Sequence, residues 1–213
     1  MLDYSKQDQW TNGFGKQQSP IELNTRESGR TEPEALFNWQ PVTGTSISDM
    51  EINFQVNGSG FVVIENHLYQ FQQLHFHSPS EHQIDGHKAS MEWHFVFQDQ
   101  IGQLVVVARM AELGDSNPDF DKMLATFQAG QTTNFDESIE IQKLLPTQGP
   151  IFRYLGSLTT PPLTEGVRWY VDQTPLSVSQ NQLDQYNGLF EQKNTRNLQE
   201  LNDRNVWLTE LDN

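Results

Sequence analysis

Two short runs in the middle of the chain carry residues able to hold a metal: Gln73-Leu74-His75-Phe76-His77 and Met91-Glu92-Trp93-His94-Phe95-Val96-Phe97. Ser78-Pro79-Ser80-Glu81-His82 follows the first at once. Aromatic and branched residues alternate with polar ones in both runs, and Asp85-Gly86 separates them, so both read as strands. Residues two apart on a strand share a face. His75 and His77 therefore project together beside Gln73. Glu92, His94 and Val96 share one face of the second strand, and Met91, Trp93, Phe95 and Phe97 take the other. If the strands pair, three imidazoles meet at a point. Three neutral nitrogen ligands with a fourth position open make a catalytic zinc site, whereas structural zinc sites are closed and richer in thiolate. The competing reading is a set of unrelated core histidines. A carboxylate two residues before His94, an amide two before His75 and the absence of cysteine favour the metal.

The chain that must position these residues has 213 of them, enough for a sizeable core, and no repeat or linker divides it, so residues 1–213 read as one domain. Five Trp, five Tyr and thirteen Phe supply the bulk of that core. A formal charge of −15 with no basic patch argues against nucleic acid or anionic membrane as partner. No window approaches a membrane-spanning length, and the first residues lack a signal-peptide pattern, so the expected compartment is cytoplasmic, or periplasmic or secreted if a leader was removed. Residues 1–35 read as irregular. Met50 to Val56 and Phe61 to Ile64, split by Asn57-Gly58-Ser59-Gly60, read as a hairpin. Gln103 to Ala108 is a strand covered on both faces. Asn117-Pro118 opens a helix closing near Gly130, and Phe135 to Leu145 reads as a short helix stopped by Pro146. Tyr154 to Pro162 reads as a loop, Val167 to Val171 as a strand, Ser179 with Gln182 as the capping box of a helix to about Phe190, and Val206 to Leu208 as a late strand.

With Gln18-Ser19-Pro20-Ile21, Ser80-Glu81-His82, Gly156-Ser157-Leu158-Thr159-Thr160-Pro161-Pro162 and the spaced Asn194, Arg196, Gln199, Leu201 and Arg204 added to the two runs, the chain resembles an alpha-class carbonic anhydrase from about Trp10 onward. The resemblance implies a mainly β fold: a single large twisted mixed, mostly antiparallel, sheet of about ten strands with short peripheral helices. It implies zinc (Zn2+) held by His75, His77 and His94. Gln73, Glu92 and Asn194 (through its backbone carbonyl) would fix the three rings, and His82 would be a buried structural histidine. Thr159 and Glu81 would be catalytic, the threonine accepting a hydrogen bond from zinc-bound hydroxide and passing its own proton to ionised Glu81. Val96, Val106, Leu158 and Trp169 would form the apolar wall holding carbon dioxide. The implied reaction is reversible hydration of carbon dioxide to bicarbonate and a proton by attack of that hydroxide. Bacterial relatives are often dimers, so a homodimer is a further expectation.

The pattern departs from the family at Ser59, which stands where many members carry a proton-shuttling histidine. Serine cannot take up a proton at neutral pH, and release to bare water is uphill by roughly nine pK units, about 12 kcal/mol. That caps turnover near ~10⁴ per second, against the ~10⁶ known for the best zinc-hydroxide enzymes. His67 and His87 are the candidate substitutes, Leu163 stands at one of the family's cysteine positions, and no tyrosine is assigned to the entrance. Two rival readings remain. His75-x-His77-x3-Glu81 fits a cupin box, which would make Glu81 a ligand to iron or manganese, though its glycine and second box are missing. A non-catalytic binding module would be expected to lose a ligand, and this chain keeps all three.

Overall fold

The computed structural model describes residues 2–30 and 37–211. Along the described chain the strands are β1 (Glu22–Leu23), β2 (Gly29–Arg30), β3 (Phe37–Trp39), β4 (Thr43–Asp49), β5 (Phe54–Ser59), β6 (Phe61–Ile64), β7 (His67–His77), β8 (Gln83–Ile84), β9 (Met91–Gln98), β10 (Leu104–Leu113), β11 (Thr132–Glu140), β12 (Gly149–Ser157), β13 (Glu165–Val178) and β14 (Trp207–Leu211). Helices α1 (Pro118–Thr126) and α2 (Gln180–Leu189) and two short 3₁₀ turns complete them. Twelve strands form one sheet in the order β11-β4-β5-β7-β9-β10-β13-β12-β14-β2, with β3 and β6 joined beside β7. Only β10/β13 and β14/β2 pair parallel within it, so the sheet is mixed and mostly antiparallel. No helix among the described residues is long and apolar enough to cross a membrane.

The central strands separate two apolar clusters by the strand period. Met91, Trp93, Phe95 and Phe97 of β9 face a large cluster that Phe120 of α1 and Tyr186 of α2 close from outside. Val96 of β9 and Val106 and Ala108 of β10 face a smaller cluster with Trp169 and Val167 of β13. Both faces of β9 are therefore covered, and a polar side chain on either needs an internal partner. One such face carries Glu92 and His94.

Several sequence expectations are corrected by pairing. β5 and β6 are not a hairpin: both lie antiparallel to the 11-residue β7, β5 beside Gln73 to His75 and β6 beside His67 to Gln70. Asn57-Gly58-Ser59 stays within β5, and the kink between the two strands is Gly60, which adopts φ +135° and where a Cβ would strike the carbonyl of Pro41. The tight turn comes later, at Glu65 and Asn66, both with positive φ. Counting the interrupted strand twice, and adding the two-residue edge strand β2, brings the sheet from about ten strands to twelve. Phe135–Glu140 belongs to strand β11, not a helix, because β4 offers a partner edge from Thr132↔Ser48 to Glu140↔Thr43; only Ile141–Leu144 turns helically. Residues Tyr154 to Ser157 end β12 before the expected loop begins, strand order within 50–56 starts only at Phe54, and α1 stops at Thr126. In the expected irregular region 1–35, β1 and β2 pair with β8 and β14, while residues 31–35 lie outside the described residues.

At Gly156 in β12 the Ser19 segment crosses so closely that a Cβ would meet Ser19 Oγ, Tyr154 Cε2 at 2.7 Å and Trp169 Cδ1 at 3.0 Å. Gly156→Ala is expected to destabilise the fold by about 1–3 kcal/mol through overpacking, read by urea denaturation; an unchanged midpoint contradicts the packing described.

Candidate metal centre

β7 and β9 pair so that His75 lies opposite His94 and His77 opposite Glu92. The period-two faces then bring the three rings together, with centroids 4.5–5.0 Å apart. Each ring has one nitrogen committed outward. His75 Nδ1 lies 2.8 Å from Gln73 Oε1, His77 Nδ1 2.6 Å from the Asn194 carbonyl, and His94 Nε2 2.8 Å from Glu92 Oε1. An amide oxygen, a carbonyl and a carboxylate can only accept, so these partners assign the protons to the outward nitrogens. His75 Nε2, His77 Nε2 and His94 Nδ1 are left as bare lone pairs facing one another.

That arrangement fits a zinc ion. The three residues offer ligand atoms all within 4.8 Å of one another. His94 Nδ1 and His75 Nε2 are 3.3 Å apart, matching the ~3.3–3.4 Å between two nitrogens bound at about 2.0–2.1 Å around a tetrahedral zinc. His77 Nε2 is buried with no hydrogen-bond partner. Without a cation the converging lone pairs repel; with one the same geometry is attractive. Two of the rings are also biased toward the unprotonated form that a ligand needs. Burial, then the neighbouring His94 and His77, holds His75 well below the ordinary imidazole value, and burial lowers His77 despite the opposing charge of Glu81.

Glu92, wholly buried, is the anchor of the site. Its Oε1 also takes His82 Nδ1–H at 2.6 Å, and its Oε2 takes the amides of Glu81 and His82, each at 2.8 Å. Burial alone would raise this carboxyl, but the His82 and His94 rings outweigh it and hold Glu92 well below the carboxylate range. With Nδ1 donating, His82 Nε2 accepts from Tyr154 Oη at 2.6 Å, and Tyr154 Oη accepts from Ser19 Oγ at 2.8 Å. His82, Glu92 and His94 also lie close enough to hold an ion, but their facing atoms are spent on these hydrogen bonds.

Glu81 is buried next to the trio, its Oε1 accepting the Arg196 amide at 2.9 Å. Its Oε2 lies 3.5 Å from His77 Nε2 and has no hydrogen-bond partner. The hydrogen bond from Thr159 to Glu81 implied by the resemblance is thus not formed in this structure, although Thr159 is buried. Val96 lies opposite Val106, and Val106 opposite Trp169, one step along the sheet from His94. Trp169 stands edge-on to His94 at 5.0 Å, and Leu158 packs on the same cluster. Val167, two residues before Trp169 on β13, belongs to this wall and was missed by the sequence reading; the strand period could have found it.

Tyr4 is buried with an unpartnered hydroxyl and lies edge-on against Trp10 at 5.1 Å. Burial, and then the charge of Glu81, raises its pKa. The register Gln55↔His75 and Asn57↔Gln73 puts Gln55, Asn57 and Ser59 on the face of the trio, with exposed Ser59 four residues, or about 13 Å, farther along. Of the two substitute imidazoles, His67 is eight residues from His75 on the same strand, about 26 Å away. His87 is exposed and bound at 2.6 Å to Glu112, near the C-terminal end of β10.

An all-nitrogen, thiolate-free trio is the donor set suited to a zinc ion with a position left open, and the large twelve-stranded sheet that carries it is not the cupin architecture. The profile of the eukaryotic-type carbonic anhydrase family matches residues 5–210. A carbonic anhydrase of Pectobacterium atrosepticum is 35% identical over 193 residues, covering 89% of this chain and 79% of that one. The alpha-carbonic anhydrase structure of Photobacterium profundum superposes with a TM-score of 0.85 at 32% identity, covering 92% and 90% of the two chains. That of Thermovibrio ammonificans, solved with the inhibitor sulfanilamide, gives 0.82 at 32% identity, covering 91% and 87%. The chain belongs to the alpha carbonic anhydrase family, and it is an enzyme of that family's reaction, the reversible hydration of carbon dioxide. The family is zinc-dependent in general.

Two outcomes test the site. Glu92→Gln, which removes the charge and one acceptor geometry, is expected to weaken zinc binding by about 10–100-fold, measured by competition with a chelator. In the metal-free protein, His75 and His77 have folded pKa values below the ordinary 6.5, so the unfolded chain binds more protons as pH drops below that value. Stability present above pH 6.5 is therefore lost toward acid, and each kcal/mol lost lowers Tm by about 2–4 °C. A Tm that stays flat from pH 7 to pH 5, read by calorimetry in the presence of chelator, contradicts this.

Proposed function

We propose that His75, His77 and His94 hold zinc and that the chain, working as a single domain, hydrates carbon dioxide at that centre under a proton-transfer limit. The observation that carries the reading is the convergence of three bare imidazole nitrogens at zinc spacing beside a buried carboxylate with a free acceptor oxygen. Bound there, zinc supplies what it is known to supply in carbonic anhydrase, a water acidified to a pKa of about 7 and so a hydroxide at neutral pH.

The chain's own residues do the rest. Gln73, Asn194 and Glu92 hold the outward ring protons and so aim the inward lone pairs. With the ion bound, Glu81 Oε2, which has no hydrogen-bond partner here, would accept the Thr159 hydroxyl proton and leave the threonine oxygen free to accept a hydrogen bond at the centre. Val96, Val106, Leu158 and Trp169, joined by Val167, form an apolar surface where an uncharged, linear molecule displaces water at little cost. The product anion gains nothing from that surface, which favours its release.

Proton export is the slow step in this reading. Ser59 has no basic group, His67 lies too far along β7 to relay, and His87 is engaged with Glu112. Stopped-flow hydration should show activity that a zinc chelator abolishes and sulfanilamide inhibits; zinc-loaded protein with no activity would falsify the reading. Added imidazole buffer is expected to raise kcat, capped near ~10⁴ per second without it, while leaving kcat/KM unchanged. Ser59→His should raise kcat in weak buffer and blunt the imidazole effect. If the parent enzyme is insensitive to buffer, another relay group exists.

A further inference from the structure

We infer that Tyr186 of helix α2 is a positioning residue for the metal ligand His77, acting through Asn194; this rests on His77 being a ligand. The end of β7 is gripped by one asparagine on three consecutive residues. Asn194 Nδ2 donates to the Phe76 carbonyl at 2.7 Å, the Asn194 carbonyl takes His77 Nδ1–H at 2.6 Å, and Asn194 Oδ1 takes the Ser78 amide at 3.1 Å. Tyr186 Oη donates to the same Phe76 carbonyl at 2.8 Å and lies 3.5 Å from Asn194 Nδ2. Phe76 O, Asn194 Nδ2 and the Tyr186 hydroxyl therefore form a closed triangle at the residue preceding His77.

The hydroxyl is built into its place. Tyr186 is 2% exposed, and burial raises its pKa, so it stays a donor throughout the working pH range. Its ring packs among Phe54, Phe76 and Phe190 with centroids 5.4–6.1 Å away. One helical turn earlier, Gln182 fastens α2 to the start of α1: its Oε1 accepts the Asn117 amide at 3.0 Å and its Nε2 donates to the Asn117 carbonyl at 2.7 Å. Positions four apart share a helix face, so the turn fastened by Gln182 is the one that aims Tyr186 at β7. The helices on the far side of the sheet thereby fix the angle at which the Asn194 carbonyl meets His77. A well-held Nδ1–H···O bond raises the basicity of the inward nitrogen and limits its swing.

The test is Tyr186→Phe, which keeps the ring and removes only the hydroxyl, with Tyr170→Phe as control. Tyr170 is equally buried in the same core but is packed against Phe37, away from the trio. Both proteins and the parent are loaded with cobalt(II), and the release of metal to a chelator and the pH dependence of the visible spectrum are recorded. Tyr186→Phe is expected to speed metal release about 3- to 10-fold and to lower the spectral midpoint by a few tenths of a pH unit, since a less basic ligand leaves the metal more acidic. Tyr170→Phe is expected to lower Tm without moving either readout. A folded Tyr186→Phe that matches the parent in both, or a control that shifts as much, overturns the inference. A parent protein that shows no cobalt bound through histidine fails at the metal site itself, a separate result.

Discussion

A carboxylate with no access to water sits at the centre of this molecule and receives four hydrogen bonds, from His94, from His82 and from the backbone amides of residues 81 and 82. An ionised group in such a place is unfavourable unless every lone pair is met. Meeting them requires β9, which bears Glu92, to lie at a fixed offset from the turn that follows β7, because three of the four donors come from that turn. The same offset puts His75 across from His94. Satisfying one charge thus sets the register of the strands that carry the metal trio, and a slip by one residue would leave Glu92 unpaired as well as scattering the rings.

Alternation made the trio legible before any coordinates. Polar residues in a strand otherwise rich in aromatics need a reason to be there, and Glu92 and His94 on one face of β9 are such residues. What the sequence obscured was pairing. The Asn57-Gly58 dipeptide is a strong local turn signal, yet the length of β7 lets two successive strands dock on its flank, so the chain bends at Gly60 and runs on. Residues 135–140 carry acids early and a lysine soon after, which suits a helix end but suits an exposed strand as well; the free edge of β4 decided between them. Nothing local marks Tyr186 as belonging to the site. Tyr186 meets Phe76 across 110 positions of chain, and a contact of that kind is visible only after folding. Asn194 came into view through family resemblance alone, since it acts through a backbone carbonyl that any residue could offer.

The two faces of the sheet divide the labour. On one, the trio, Glu92 and the valine–tryptophan wall are assembled from β7, β9, β10 and β13, strands held on both sides by neighbours, with Glu81 supplied by the turn after β7. On the other, an aromatic cluster packs the two helices against the same strands. Rigid strands suit ligands whose angles matter, and the loop segment around Asn194 and Arg196 closes over them by hydrogen bonds to His77 and Glu81. The histidine-bearing face is therefore finished by a segment far along the chain, which couples the completion of the trio to the completion of the fold.

Among the described residues the outermost strand, β11, has one flank without a partner in the sheet and displays exposed Asp136 and Glu137 along it, with Glu140 paired to Lys143. An open flank of this sort is a template for joining to another molecule strand by strand, and repeated negative charge is a common defence. At neutral pH two copies approaching edge to edge would repel. Acid or concentrated salt would weaken that barrier, so the colloidal behaviour of this strongly acidic protein depends on its medium in a way its buried chemistry does not.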